Sequence, residues 1–334
     1  MANLSFSQAK SKFESLLQSV KNEDKDEFLS FAFEALAQAG IYSLYNQGKN
    51  PKVKGDEDFD DDILNDPIVK LNTIAEHVKK ILPLEAILPS EKFVVPQDSS
   101  KNSDCKPDIT ISVDEFLYDD EDIDDLVDQG KMSRFYCTKC KSKNIKPLIF
   151  ISHSMSKDAL YYIFNDRLPT IEDKTVLDIG SRFGAVLYGA HVFTDAKSII
   201  GVEMNEELCT LQNEVIQKYN MDDRIKVVHD KIQNVPDIVA SADVVVINNS
   251  FEFYLTIEEQ TQIWKYLNQH IKKGAFLVTN PPLNQTLEQV PTGIELQKWV
   301  KKFNLDDKSS GNDKDSDNWS DNDKFSDYEV YQVL

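Results

Sequence analysis

The chain has 334 residues, 41% of them hydrophobic, a length that suits two domains or one large domain with an appendage. Its 37 basic and 57 acidic residues give a formal net charge of -20 at pH 7. This charge disfavours nucleic acid as a partner and favours a basic protein, although surplus acid also keeps a protein soluble. No apolar run approaches the roughly 18 to 20 residues of a membrane-spanning helix. Residues 1–20 lack a secretory signal pattern. We therefore expect an intracellular protein, cytoplasmic or nuclear, without a membrane partner.

The first 94 residues are predicted to form an all-helical region. Apolar residues recur at helical spacing in two patterns before Gly40 and in a third over residues 63–81, which stops before Pro83. A stretch rich in Gly, Lys and Asp at 46–62 is predicted to be a loop between the second pattern and the third. The patterns place helices but indicate no function for this region.

Residues 95–165 are predicted to be a polar linker and a small strand-rich module with a short acidic helix. The spacing Cys137-x-x-Cys140 is that of a zinc knuckle, in which a tight turn supplies two thiolates. Cys105 and His153 are the nearest residues that would complete the four ligands of a structural zinc ion. Two free thiols in a turn are the alternative. A disulfide framework is not expected in a chain without a secretory signal.

Residues 166–334 are predicted to form an α/β domain. Short β-branched runs alternate with helical patterns, with strands at 175–179, 199–202, 225–228, 243–248 and 275–279 and helices at 185–193, 206–219 and 257–271. This alternation implies a parallel sheet with helices on both faces. Residues 306–324 have too few apolar side chains to pack and are predicted to be a disordered acidic insertion. The alternating pattern at 328–334 predicts a last, antiparallel strand.

The strongest motif lies at the end of the first of these strands. It has the pattern Asp178-x-Gly180-x-x-x-Gly184 and is followed by a helix. Glycine allows a ligand to approach the backbone closely, and the helix N-terminus offers free N–H groups. The carboxylate of Asp178 suits an amino group. Taken alone, such a loop is a weak signal, and an ordinary turn between a strand and a helix is the alternative.

Polar residues also end the next three strands, at the edge where open α/β sheets bind ligands. Glu203 ends the second strand and can accept the hydroxyls of a ribose; capping the helix that begins after Asn205 is the alternative. Asp230 follows the third strand and is expected beside an adenine amino group, unless it only forms a turn. Asn248 and Asn249 follow the fourth strand and are expected to face a transferred group, or else to cap a helix.

Together these residues resemble motifs I to IV of class I S-adenosylmethionine-dependent methyltransferases, over about residues 175–283. The resemblance implies a Rossmann-like seven-stranded sheet and S-adenosylmethionine as cofactor. It implies the cofactor-binding set Asp178, Gly180, Ser181, Gly184, Glu203, Met204, Asp230, Lys231 and Asn248. A dinucleotide-binding oxidoreductase is the weaker alternative, because the loop lacks the G-x-G-x-x-G pattern.

Within that superfamily, Gly201-Val202-Glu203 and the run from Val246 to Phe253 are similar to non-SET histone lysine methyltransferases. In that family, residues at these positions border the channel that admits the substrate lysine. The resemblance therefore implies a catalytic site formed by Asn248, Asn249 and Phe251. The loop departs from that family, since Arg182-Phe183 stands where small residues are usual.

The sequence Asn280-Pro281-Pro282-Leu283 is reminiscent of the N-P-P motif, which in related enzymes precedes an aromatic residue and marks methylation of nucleic-acid bases. Here it follows the fifth strand and ends in Leu, so a strand-ending turn is favoured.

We therefore expect an S-adenosylmethionine-dependent methyltransferase that methylates a nitrogen of a protein substrate. The alternatives are a catalytically inactive, cofactor-binding interaction scaffold and a small-molecule methyltransferase.

Overall fold

The computed structural model describes residues 66–91 except 85, 111–131 except 113, 150–304 except 152, 153 and 253, and 325–334 except 326, with residues 12, 16, 20 and 21. The chain divides into two compact units, Met1–Leu64 and Asn65–Leu334. Most of the predicted N-terminal helical region lies outside the described residues, as do Cys105, Cys137, Cys140, His153 and the predicted insertion at 306–324. Within the described ranges, no helix is both long and apolar enough to cross a membrane.

The described part of the second unit is an α/β structure. Its α-helices are α1 Pro67–Ile81, α2 Asp120–Asp128, α3 Lys157–Tyr161, α4 Ala185–Phe193, α5 Glu206–Lys218, α6 Pro236–Ser241, α7 Ile257–His270, α8 Leu283–Gln289 and α9 Leu296–Trp299. A π-helical turn, Tyr162–Arg167, continues α3, and a 3-10 turn covers Ile232–Asn234. Its strands are β1 Ile111–Ser112, β2 Phe150–Ile151, β3 Thr175–Ile179, β4 Ser198–Glu203, β5 Ile225–His229, β6 Val244–Asn248, β7 Phe276–Asn280, β8 Val300–Lys302 and β9 Glu329–Val333.

Seven of these strands form one sheet in the order β5-β4-β3-β6-β7-β9-β8, and β1 pairs separately with β2. The strands from β3 to β7 are mutually parallel, which confirms the predicted Rossmann-like sheet. Strand β9 runs antiparallel between β7 and β8, as the alternating C-terminal pattern predicted. Strand β8 was not predicted, because it is three residues long and two of them are exposed lysines at the sheet edge.

Each face of the sheet has its own hydrophobic core. One core joins Val176, Val246 and Val278 to α1, α3, α4 and α5. The other joins Leu177, Val245 and Leu277 to α6, α7 and α8. Neighbouring residues along a strand point to opposite faces, so both sets must be apolar and the strands appear as continuous apolar runs.

Two elements upstream of the sheet confirm helices that the sequence predicts. Helix α1 begins at Pro67, and the Asp66 side chain accepts backbone N–H groups of its first turn. Its buried stripe includes Leu71 and Val78, and the helix contacts α4 on the sheet. Helix α2 is the predicted acidic helix, with Asp119 in a capping box at its start. Helix α1 therefore packs against the sheet domain.

Gly201 leaves room beneath the motif loop. A Cβ atom at this position would lie 2.7 Å from Ser181 Oγ and 2.8 Å from Leu187 Cδ1. We predict that Gly201→Ala lowers the free energy of unfolding by about 1 to 3 kcal/mol, because an overpacked core must shift. Urea denaturation measures this change. In a Leu187→Ala background the same substitution should be less destabilising, and an equal effect in both backgrounds would contradict the prediction.

Candidate cofactor and active site

The loop after β3 adopts a conformation that its two glycines make possible. Gly180 has φ 76° and Gly184 has φ 85°, both in the left-handed region. A Cβ atom on Gly184 would lie 2.6 Å from the Tyr188 ring. The Gly180 N–H donates to the Val202 carbonyl at 2.9 Å and so fixes the loop to β4. The loop therefore presents its backbone at the carboxyl edge of the sheet.

Asp178 lies in β3 immediately before this loop and is 3% exposed. No other described residue hydrogen-bonds its carboxylate. Burial, and then the charge of Glu203, raise the pKa of Asp178 to about 8. A buried carboxylate without a donor or a counter-ion is unfavourable unless a ligand supplies one. Its place at the edge of a cavity suits the ammonium group of an amino acid.

Glu203 ends β4 and is also buried. One carboxylate oxygen accepts the Arg182 N–H at 3.0 Å, and the other accepts the Asn205 N–H at 2.9 Å. Burial raises the pKa of Glu203, although these two N–H groups oppose the shift. Helix α5 is capped by the Asn205 side chain, not by Glu203. Each Glu203 oxygen keeps a lone pair for a ribose hydroxyl.

The predicted adenine side lies at the ends of β4 and β5. The Met204 side chain is an exposed large apolar group, 57% accessible, which suits the flat face of a purine. The carboxylate of Asp230 accepts the Lys231 N–H and the Asn234 side chain, each at 2.7 Å. The Asn234 bond, and then the Lys231 bond, lower the pKa of Asp230. Asp230 is thus ionised and exposed, as an acceptor for an adenine amino group would be.

Asn248 ends β6 and faces the same edge. Its Oδ1 accepts from Asn280 Nδ2 at 3.1 Å, and the Asn249 N–H donates to the Asn280 carbonyl at 2.7 Å. The sequence did not identify Asn280 as a site residue, although it stands at the end of the next strand in register with Asn248. The Phe251 ring is buried edge-to-face on Trp264, with 5.5 Å between centroids, and so lies in the core.

Tyr328 contacts this amide pair through Asn280. The Tyr328 hydroxyl is hydrogen-bonded to the Asn280 side chain. Burial, and then the charge of Glu115, raise the pKa of Tyr328. Burial also raises the pKa of Glu252, on the loop that follows Asn248. No sequence pattern indicated Tyr328 or Glu115, because they come from segments far apart in the chain.

A small cavity of about 10 Å³ lies between these parts, with room for about one water. It is lined by the side chains and backbone of Ser154, Met155, Asp178, Gly180, Ser181, Arg182, Ala185, Val186 and Asn248. The surrounding groups fit S-adenosylmethionine: an unpaired buried acid for its ammonium, a glycine loop, an acceptor for ribose and an apolar surface for adenine.

All four candidate ligands of the predicted zinc site lie outside the described residues. In the part of the chain that the structure describes, no group of three or more His, Cys, Asp or Glu could hold a metal ion. Cys209 is buried, and burial raises the pKa of its thiol to about 11. This cysteine is therefore an unreactive core residue.

The sequence of the sheet domain has a recognisable family. Residues 177–279, 103 of the 334, match the family described as a methyltransferase domain. The chain carries a class I S-adenosylmethionine-dependent methyltransferase domain. The protein is an enzyme that uses S-adenosylmethionine as its methyl donor. No curated protein matches the chain.

Solved structures similar to this chain include other methyltransferases. The precorrin-6y C5,15-methyltransferase of Geobacter metallireducens is 15% identical, with a TM-score of 0.36, over 45% of this chain and 77% of that one. An RNA methyltransferase of Salinibacter ruber, in complex with S-adenosyl-L-homocysteine, is 12% identical, with a TM-score of 0.35, over 54% of this chain and 93% of that one. Likenesses this distant carry no information on the acceptor of this methyltransferase.

Asp178 should make cofactor binding depend on pH. Its pKa is about 8 in the free protein, so at neutral pH it must lose a proton to pair with an ammonium group. Between pH 6 and pH 7.5, we predict that affinity for S-adenosylmethionine rises by up to about tenfold per pH unit, with release of about one proton. Calorimetry in buffers of different ionisation enthalpy measures both quantities. Asp178→Asn should abolish the proton release; the same dependence in that variant would contradict the assignment.

Glu203 should control cofactor affinity through both the loop and the ribose. Glu203→Ala leaves the N–H groups of Arg182 and Asn205 without their acceptor, and we predict at least about tenfold weaker binding of S-adenosylmethionine. Glu203→Gln keeps one acceptor oxygen and should lose less. Glu206→Ala, which removes an exposed acid from the first turn of α5, is the charge-matched control. Calorimetric affinity of Glu203→Ala equal to that of the native protein would contradict the role.

Proposed function

We propose that the enzyme methylates a nitrogen of a basic protein segment, a lysine side chain or a terminal amine. The observation that carries this proposal is the pair of side-chain amides, Asn248 and Asn280, at the ends of adjacent strands. Asn248 lines the same cavity as Asp178, so the pair lies at the methionine end of the cofactor site. Amide oxygens at this position can accept an N–H group and orient the nitrogen.

Acidic groups around the amide pair support a cationic acceptor. The charges of Glu115 and Asp327 both act on Tyr328, which contacts Asn280. Glu252 lies on the loop after Asn248. A chain of net charge -20 adds a long-range field of the same sign. Such a field raises the rate of encounter with a basic segment and weakens as salt is added.

The chemistry requires orientation and removal of a proton. Bound S-adenosylmethionine supplies a methyl group on a sulfonium, whose leaving group is neutral. The amides of Asn248 and Asn280 would hold the nitrogen in line, and the half-buried Tyr328 would help to exclude water beside it. Glu252, on the loop after Asn248, is the candidate proton acceptor, since a raised pKa makes a carboxylate a stronger base.

Incubation with cell extract and methyl-labelled S-adenosylmethionine tests this function. We predict label in the protein fraction, recovered after hydrolysis as an N-methylated basic amino acid, with a rate that falls as salt is raised. Asn248→Ala should lower this rate at least about tenfold, because the nitrogen is no longer oriented. Asn268→Ala, in α7, is the matched control.

Label confined to the metabolite fraction would overturn the proposal in favour of a small-molecule methyltransferase. Label on nucleic acid would do the same for a base methyltransferase. Absence of transfer to every fraction, with cofactor affinity intact, would favour the interaction scaffold.

A further inference from the structure

Arg182, in the motif loop, connects that loop to two upstream segments. Its Nε donates to Glu91 at 3.1 Å, Nη1 donates to Asp114 at 2.7 Å, and Nη2 donates to the Ala86 carbonyl at 2.5 Å. The guanidinium also stacks on Phe183, 4.0 Å from the ring centroid. Arg182 is 5% exposed, so these bonds are shielded from water. A single side chain thus holds residues 86–91 and 114 against the cofactor loop.

The two acidic partners of Arg182 are not equally fixed. Asp114 is fully buried and also accepts the Phe116 N–H at 3.1 Å and the Ser154 hydroxyl at 2.6 Å. Among the described residues, the other oxygen of Glu91 accepts from the Leu88 N–H alone, within the same short segment, although the Glu91 side chain is 3% exposed. Asp114 is therefore part of the packed structure, whereas Glu91 can leave with its segment.

Ala86 lies in the hydrophobic core and Leu88 packs against it, whereas the polar contacts of residues 86–91 with helix α5 are exposed. Ser90 contacts the Asn205 side chain and Glu207 at the start of α5, and both contacts are exposed. Ala86 has φ 49°, and Arg182, which bonds its carbonyl, has φ 44°. Both are non-glycine residues in the left-handed region, a conformation that persists only while the surroundings hold it. The segment is thus held near its site at a conformational cost.

The charges of the cavity match the amino-acid end of the cofactor. Among the described residues that line it, Asp178 is the one acidic residue and Arg182 is the one basic residue. The cofactor carries an ammonium and a carboxylate on one carbon atom. Asp178 has no partner and suits the ammonium, which leaves Arg182 for the carboxylate. The cavity has room for about one water, so this end of the cofactor enters only if part of the lining moves.

A third carboxylate cannot simply be added to Arg182. Glu91 and Asp114 already give its surroundings one excess negative charge, and a further buried anion would be repelled. We propose that the cofactor carboxylate replaces Glu91 on Arg182, and that residues 86–91 are an internal competitor which leaves the loop when S-adenosylmethionine binds. The exchange keeps the number of anions on Arg182 constant. This inference rests on the cofactor and not on the acceptor.

The affinities of three ligands show what the carboxylate contributes to binding. They are S-adenosylmethionine, decarboxylated S-adenosylmethionine and 5′-methylthioadenosine, which lacks the whole amino acid. We expect Glu91→Gln to bind S-adenosylmethionine about tenfold more tightly, because the competitor has lost its charge. Arg182→Met should bind it at least about tenfold more weakly. Both variants should bind the other two ligands like the native protein, within about twofold. Asp122→Asn, on α2, is the charge-matched control.

The two substitutions should change the affinity for S-adenosylmethionine in opposite directions, which distinguishes exchange from an ion pair that only stabilises the fold. If the pair only holds the fold together, Glu91→Gln weakens binding of S-adenosylmethionine, or Arg182→Met weakens all three ligands equally, and the proposal is overturned. Binding of 5′-methylthioadenosine reports within each variant that the site is folded and that the cofactor class is correct.

Amide hydrogen exchange of the native protein gives a second measurement that needs no variant. We expect residues 86–91 to exchange faster with S-adenosylmethionine bound and at an unchanged rate with 5′-methylthioadenosine. Protection of residues 86–91 by S-adenosylmethionine would overturn the proposal, because the segment would then close over the cofactor instead of leaving.

Discussion

Two buried carboxylates end adjacent parallel strands, and the arrangement of the site depends on them. Asp178 and Glu203 stand on either side of the glycine loop, and the charge of Glu203 makes Asp178 harder to ionise. Glu203 meets this constraint by accepting two backbone N–H groups, one of them from the loop itself. Asp178 has no such partner. The site is therefore built around a buried carboxyl group that ionises readily only when a cationic ligand pairs with it.

The chain upstream of the sheet contributes directly to this site. Helix α1 covers one face through α4, while Glu91, Asp114 and Ser154 converge on the loop and on Arg182. A methyltransferase sheet binds its cofactor at an edge that is otherwise open. Here that edge is partly covered by the same chain, so access to the methionine end depends on contacts outside the residues that match the family.

The sequence predicted the parts of the fold that follow from local pattern. Buried parallel strands appear as continuous apolar runs, and an acid at the end of such a run, as with Glu203, is placed at the ligand edge by topology alone. The partners of Arg182 could not be predicted, because they lie between 68 and 96 residues away in the chain. Asn280 was missed because its Pro-Pro sequence indicated a turn. The burial of Phe251 depends on Trp264, a tertiary contact that no local pattern shows.

Strand order has a consequence for how this enzyme can change over evolution. Strand β8 runs parallel to β7 and β9 runs back between them, so the connection from Asn304 to Phe325 starts and finishes at the edge that holds Asn280. Its length can vary without altering any strand pairing, since a longer surface connection is tolerated at little thermodynamic cost. Cofactor binding depends on β3 and β4, at the other side of the sheet. Selection can therefore change the length of this connection beside Asn280 while β3 and β4, which hold the methyl donor, stay unchanged.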